Sequence, residues 1–347
     1  MIRVGIIGAS GYAGAELVRY LLAHPEAKIT YLASDSLAGK PLSEAYPAFL
    51  GRDLPDCGKY DVDTAADKAD FIFQAQGNGV GMKLAPELLA RGKKFVDVPA
   101  DFRLKDAELY TKYYGQAAAA PELLAQAVYG ISELESEQIA KARLVANPGC
   151  YATSAILALA PLVAKHVVDP GTIIVDAKSG VSGAGRSKLE VSGLFCETNE
   201  GLRAYGVATH RHTPEIEQAI SKCAGEEIAI NFTPHLIPMN RGILTTAYAK
   251  ATSIASTADL LRLYSDFYSG KRFVQVLGEG KQPCTKSVFG SNFCHIGAVL
   301  DARTGRVIIT CAIDNMGKGA AGQAIQNMNL MCGLDETTGL LNGAVYP

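Results

Sequence analysis

IRVGIIGASGYAGAEL, residues 2–17, sets the architecture of this chain. Residues 2–7 are apolar but for one arginine and read as a buried strand. Gly8, Gly11 and Gly14 follow, interleaved with Ala9, Ser10, Tyr12 and Ala13. AELVRYLLAH then puts Leu17, Tyr20 and Leu21 on one helical face. A glycine turn joining a strand to a helix has the form of a dinucleotide fingerprint. Glycines permit the tight turn and let main-chain N–H groups reach a pyrophosphate at the helix N-terminus. The spacing is G-x-x-G-x-x-G rather than G-x-G-x-x-G, and an ordinary strand–helix turn would need only one of the three. The second strand is expected at 28–34 and ends in Ser34-Asp35-Ser36, with Lys40 beyond. Asp35 suits the ribose hydroxyl of NAD, whereas Ser34, Ser36 and Lys40 suit the 2′-phosphate of NADP. The balance favours NADP, although Lys40 also reads as a solvated loop charge.

Alternation continues with a strand at 70–75, a helix at 86–91, a strand at 94–98 and another near 143–146. That pattern predicts a doubly wound parallel sheet, whose ligands bind beyond the carboxyl ends of the strands. Two strand-end loops lie there, Gln76-Gly77-Asn78-Gly79 and Asp97-Val98-Pro99-Ala100-Asp101-Phe102-Arg103. Arg103 is a candidate clamp for phosphate or carboxylate, because a guanidinium presents paired donors in one plane. A structural ion pair with Asp101 or Asp106 is the alternative.

Asn147-Pro148-Gly149-Cys150-Tyr151-Ala152-Thr153 then places a cysteine on a Pro-Gly turn, directly before an apolar helical run. Ile156, Leu159 and Val163 share a face. Unpaired N–H groups and the dipole at such a helix start favour a thiolate, the nucleophilic form. A small buried apolar cysteine is the other reading.

Beyond it, strand-like segments at 172–178, 228–233, 243–251, 273–277, 293–301 and 307–314 predict a larger, mostly antiparallel sheet with covering helices. Lys178-Ser179-Gly180-Val181-Ser182-Gly183-Ala184-Gly185-Arg186 fits a cradle for an anion or a nicotinamide. His210-Arg211-His212 precedes Thr213, a candidate N-cap, and Pro214. A histidine titrating near working pH suits proton transfer beside a thiol. The other four histidines read as packing or surface residues. Asp314-Asn315-Met316-Gly317-Lys318-Gly319 enters a last helix, placed to cap the cofactor from the far side.

The 347 residues predict two domains, and 48% hydrophobic residues supply their cores. A formal charge of −2 without a basic run gives no case for nucleic acid. Apolar runs are too short or too polar for a membrane span, and the start lacks a signal-peptide h-region, so a cytoplasmic protein is expected. Eight cysteines without a C-x-x-C pair imply a reduced set with no zinc site, and no third ligand completes a metal site at His210 and His212.

Taken in order, GASGYAGAEL (8–17), ADFRL (100–104), YGISEL (129–134), ANPGCYAT (146–153), KSGVSGAGR (178–186), HRHTPEIEQ (210–218), PHLIPMNRGIL (234–244) and DNMGKGAAGQAIQNMNL (314–330) resemble the N-acetyl-γ-glutamyl-phosphate reductases of the semialdehyde-dehydrogenase superfamily. The resemblance covers nearly the whole chain. It implies an α/β Rossmann NADP-binding domain, 1–148, completed by a C-terminal helix, 316–347. It further implies an α+β catalytic and dimerisation domain with a large mixed sheet, 149–315. The implied activity is NADPH-dependent reduction of an acyl phosphate through a thioester on Cys150, in arginine biosynthesis, with release of inorganic phosphate. His212, with His210 second, is the implied acid/base. Arg103, Asn147, Ser179, Gly180 and Glu215 are implied on the substrate side, and Ser182, Gly183, Asn315 and Lys318 on the cofactor side. A homodimer or homotetramer is implied. Aspartate-semialdehyde dehydrogenase, the aminoadipyl-phosphate reductase of lysine biosynthesis and a non-catalytic NADP-binding regulator are the rivals. The first is disfavoured because Gly242 is followed by Ile243 rather than by histidine, and the last has no use for Cys150 beside two histidines.

Overall fold

A computed structural model describes residues 1–186 and 193–345 and divides them into two compact units. The first comprises residues 1–149, 185–186 and 320–342; the second comprises 150–184, 193–319 and 343–345.

In chain order the first unit runs β1 (Ile2–Ile7), α1 (Tyr12–Leu21), β2 (Ala27–Ala33), β3 (Cys57–Gly58), α2 (Val62–Lys68), β4 (Phe71–Gln74), α3 (Gly81–Ala90), β5 (Lys94–Asp97), α4 (Ala107–Tyr114), α5 (Pro121–Gln126), β6 (Val128–Tyr129), α6 (Ser132–Lys141) and β7 (Leu144–Ala146). The strands form one sheet in the order β3-β2-β1-β4-β5-β7-β6, with every pairing parallel. The chain reverses direction across the sheet between β1 and β4, the switch point where such sheets bind ligands. The glycine turn after β1 packs there. A Cβ on Gly8, whose φ is +88°, would lie 2.8 Å from the main chain of Ala75 and Gln76. Helix α3 begins at Gly81, five residues before the start expected at Pro86. Its first turn is capped from a distance: Asp101 accepts hydrogen bonds from the N–H groups of Gly79 (2.6 Å) and Met82 (3.1 Å).

The second unit runs α7 (Cys150–Ala164), β8 (Val168–Ser179), α8 (Phe195–Thr198), β9 (Arg203–Ala204), α9 (Thr213–Ala224), β10 (Asn231–Leu236), β11 (Ile243–Ala251), α10 (Thr257–Phe267), β12 (Val274–Val276), β13 (Cys294–Asp301) and β14 (Arg306–Ile313). Its sheet has the order β12-β13-β14-β11-β8-β10-β9. The sheet is mixed. β10 pairs with β8, and β12 with β13, in parallel; the other pairings are antiparallel. β10 lies three residues beyond the expected 228–233 and contains Pro234, which is tolerated because only the two-residue β9 flanks it on the outside. Alternate residues of β11 (Ile243, Thr245, Ala247, Ala249) are buried against α7, while Leu244, Thr246 and Tyr248 are half-exposed. Helix α7 is buried continuously from Tyr151 to Val163 against α9, α10 and strands β8, β11 and β14.

After β14 a π-helical turn, Gly317–Ala321, leads into α11 (Gly322–Met331), which returns to the first unit and packs on α6. Its face is polar yet buried. Gln323 donates to the Gly130 carbonyl (2.9 Å) and Ser132 (2.6 Å), Gln326 to Glu133 (3.0 Å), and His24 pairs with Asn329 (2.9 Å).

A Cβ on Gly14 would stand 2.2 Å from the Gly8 carbonyl oxygen, so Gly14→Ala must prise the turn apart. We expect the substitution to cost about 1–3 kcal/mol in urea unfolding, the usual range for overpacking. An unchanged midpoint would show that the turn has slack.

Candidate active site

The first unit gathers one set of groups around its glycine turn. Helix α1 has no side-chain cap and no acid in its first turn, leaving its N–H groups and dipole for an anion. The Ser10 hydroxyl lies 2.7 Å from that of Ser34 and 3.3 Å from that of Ser36. Tyr46 donates to the Ser10 carbonyl at 3.0 Å. Arg186 donates to the same carbonyl at 3.2 Å and lays its guanidinium 5.1 Å from the Tyr46 ring centre. Three hydroxyls, an exposed arginine and an open helix start, beside glycines whose Cβ atoms would fill the turn, fit a dinucleotide carrying an extra phosphate. Gly11, Tyr12, Ala13 and Gly14 form the turn and first helical residues as expected from the sequence. Lys40 is exposed and pairs through its backbone with Cys57. Arg186 was legible only as the charged end of a glycine loop, and nothing local linked it to Ser10.

At the ends of β5 and β7 the structure spends Arg103 and Asn147 on the backbone. Arg103 is buried; its Nε donates to the Asn147 carbonyl (2.8 Å) and another guanidinium nitrogen to the Val98 carbonyl (2.8 Å). Asn147 is fully buried. Its N–H donates to Asp97 O (2.8 Å), its Nδ2 to Ala320 O (3.0 Å), and its Oδ1 accepts from Asn327 (3.1 Å). Asp97 and Asp101 are also fully buried. Burial, then the charge of Asp101, holds the Asp97 carboxyl well above the ordinary range, while Asp101 collects N–H groups and the Tyr110 hydroxyl (3.2 Å).

In the second unit Cys150 is the first residue of α7 and is partly exposed, unlike the thirteen that follow. Tyr151, beside it, is boxed by rings: His210 at 5.7 Å, His212 at 6.0 Å and Phe232 at 5.7 Å between centres. The two histidines lie 4.8 Å apart, and Tyr205 is 5.4 Å from His210. Tyr205 donates to the Tyr151 hydroxyl (3.2 Å), which donates to the His235 carbonyl (2.9 Å). Burial raises both phenols, and the negative charge of a Cys150 thiolate raises them further, so they act as neutral donors. Helix α9 starts at Thr213 with His212 as its N-cap, one residue earlier than the N-cap reading of that threonine, and His210 orders the approach. The His210 Nδ1 accepts the His212 N–H at 3.1 Å, which fixes the lone pair on Nδ1. Burial, assisted by the Arg211 charge, lowers His210 to about 4. His210 is therefore a neutral, structurally engaged imidazole. His235, read from the sequence as a packing or surface residue, lies with its Nδ1 3.0 Å from a carboxylate oxygen of Asp176.

The 180–184 loop is clamped to 239–242 by main-chain bonds, and a Cβ on Gly180 would meet the Met239 carbonyl oxygen at 2.8 Å. Ser179 is buried at the end of β8. Asn315, buried, donates to the Ser182 hydroxyl (2.9 Å) and accepts from Gly242 N (2.7 Å). Gly183 is exposed; Glu215 is buried in the first turn of α9; Lys318 is fully buried, 5.6 Å from the Phe273 ring centre. Among the described residues no group of three or more His, Cys, Asp or Glu could hold a metal ion, and no helix is long and apolar enough to cross a membrane.

Comparison with known proteins agrees with this geometry. Residues 3–142 match the semialdehyde dehydrogenase NAD binding domain and residues 150–315 the semialdehyde dehydrogenase dimerisation domain. The fold is that of aspartate semialdehyde dehydrogenase II from Vibrio cholerae, with a TM-score of 0.74 and 17% identity over 96% of this chain and 98% of that one. The structure is thus that of a semialdehyde dehydrogenase. N-acetyl-gamma-glutamyl-phosphate reductase from Citrifermentans bemidjiense is 52% identical over the full length of both chains. The reductase of that name from Pelotomaculum thermopropionicum is 50% identical over 100% of this chain and 99% of its own. The chain belongs to the N-acetyl-γ-glutamyl-phosphate reductase family.

An unfolded histidine titrates near 6.5 and His210 near about 4, so between these values the unfolded chain binds the extra proton. His210 thus adds stability that is complete above pH 6.5 and is lost as pH falls toward about 4. Urea unfolding of His210→Gln should show a shallower fall in stability over that window than the parent chain. Equal slopes would place the His210 titration elsewhere.

Proposed function

We propose that this chain reduces N-acetyl-L-glutamyl 5-phosphate to N-acetyl-L-glutamate 5-semialdehyde with NADPH, through a thioester on Cys150, as a step of arginine biosynthesis. The observation that carries the mechanism is the partly exposed Cys150 at the head of an otherwise buried helix, with two histidines packed around the next residue. The helix start favours the thiolate. Its sulfur attacks the acyl carbon, a C–S bond forms, and the C–O bond to phosphate breaks. The thiol proton passes to His212 and on to the departing phosphate. With His210 held neutral and accepting the His212 N–H, His212 is the histidine we assign to proton transfer. Bound NADPH would supply a hydride to the thioester carbon, which stays bonded to sulfur until the C=O of the aldehyde re-forms. The C–S bond then breaks, and solvent reprotonates Cys150. Splitting displacement from reduction makes two easier steps of one.

Gly8, Ser10, Gly11, Tyr12, Ala13 and Gly14 would hold the pyrophosphate. Ser34, with Ser36, Lys40 and Arg186, would hold the 2′-phosphate, and Ser182 and Gly183 the nicotinamide side. Asn315 serves that side by holding Ser182, and Lys318 by its charge. Ser179, Gly180 and Glu215 are assigned to the substrate side. There Arg103 adds positive charge for phosphate, and Asn147 acts through the turn it anchors.

A homodimer or homotetramer built through the second unit, in the cytoplasm, completes the proposal. Ile174, Tyr248, Ile308 and Val299 register across β8, β11, β14 and β13 on the half-exposed face of the sheet. This apolar row, in a domain matched to a dimerisation family, supports a second copy as its occupant.

Cys150→Ser should lower kcat at least about a thousandfold while NADPH still binds. Near-normal turnover would remove the thioester. Phosphate-dependent NADP reduction should prefer N-acetylglutamate semialdehyde over aspartate semialdehyde, and the reverse preference would reassign the substrate. In sedimentation velocity Tyr248→Glu should dissociate the oligomer; an unchanged sedimentation coefficient would exclude that face.

A further inference from the structure

The buried amides of α11 have no part in the mechanism above, yet one of them reaches the segment that carries the nucleophile. Asn327 is fully buried. Its Nδ2 donates to Gly130 O (2.9 Å) and Asn147 Oδ1 (3.1 Å), and its Oδ1 accepts from the Ser132 hydroxyl (2.7 Å). The other end of the Asn147 amide donates to Ala320 O (3.0 Å). Residues 320–327 therefore grip both ends of the Asn147 side chain, while Asp97 and Arg103 hold its backbone. Pro148 and Gly149 alone separate Asn147 from Cys150. One residue before Ala320, Gly319 lies directly against the nucleophile: a Cβ there would stand 2.8 Å from the Cβ and 3.2 Å from the Cα of Cys150.

We propose that Asn327 and Gly319 are positioning residues for Cys150, the first by anchoring the Asn147 turn and the second by leaving the space in which the cysteine sits. The proposal rests on Cys150 being the nucleophile. Neither residue touches the reacting atoms. They determine whether Cys150 lies where the α7 dipole favours its thiolate.

The test is the rate at which iodoacetamide alkylates Cys150, followed by peptide mass against pH, with exposed Cys196 as internal reference. In Asn327→Ala the rate at pH 7 should fall about tenfold relative to Cys196, its pH midpoint should rise, and kcat should fall in step with KM for NADPH within twofold. Ser132→Ala also removes a hydrogen bond from Asn327 but none from Asn147, so it controls for lost stability. It should leave the alkylation profile and kcat within twofold. Identical behaviour of the two variants would overturn the role of Asn327. Should Asn327→Ala not fold, Gly319→Ala decides. Gly319 is outside the left-handed region, so alanine suits its backbone, and the same tenfold losses are expected. Wild-type alkylation and turnover in Gly319→Ala would overturn the proposal. Turnover in Cys150→Ser would instead remove the nucleophile itself, a separate failure.

Discussion

Helix α7 is enclosed on every side from Tyr151 to Val163, and this enclosure governs the second unit. A helix apolar all round belongs in a core. Its dipole cannot be met by solvent along its length, so its effect concentrates at the two ends, of which the N-terminal one favours an anion. Cys150 occupies that end. The sheet lies against the helix with small and branched side chains, Ala247, Ala249 and Ile243 among them, and α9 brings the two histidines to the same end. The reactive position thus follows from packing: the sequence needs a long apolar helix for the core, and its first residue inherits the field.

What the sequence made legible was whatever is local. The strand, glycine turn and helix of 2–17 lie within one stretch, and steric freedom at Gly8 and crowding at Gly14 follow from the turn itself. Cys150 at a helix start was readable for the same reason. Long-range partners were not. Asp101 caps α3 from another strand end, so the helix begins before the proline that looked like its start. Arg186 reaches Ser10 across 176 residues. Gln323, Gln326 and Asn327 of α11 find buried partners on α6 or near β6, and Asn329 pairs with His24, long-range matches that no local stretch of sequence displays. His235 looked solitary because Asp176 lies on a different strand, β8.

Two carboxylates do comparable work in the two units. Asp101 collects N–H groups from the loop after β4 and the start of α3. Asp314, fully buried, accepts from the N–H groups of Gly290 (2.6 Å), Met316 (2.8 Å) and Gly317 (2.9 Å) and pairs with Arg241 (2.9 Å). A buried charge is tolerable only with such a shell. Each fixes irregular backbone beside a functional loop: Asp101 the loop 76–79, Asp314 the entry to Gly317–Ala321. Rigid loops at strand ends result from side chains elsewhere, which frees the loop residues themselves to be small.

The return of residues 320–342 to the first unit bears on how the chain is made. Gly130, Ser132, Glu133 and His24 each find a hydrogen-bond partner on α11, and Lys94 reaches the Met331 carbonyl (2.5 Å). During synthesis the Rossmann sheet emerges first, but the polar groups of its unit that pair with α11 stay without those partners until that helix leaves the ribosome. The second unit, drawn mostly from residues 150–319, has nearly all its strands and helices before that point. The order of translation is thus reversed in the order of completion, and the N-terminal half must wait, with polar groups still in water, for the last helix to arrive.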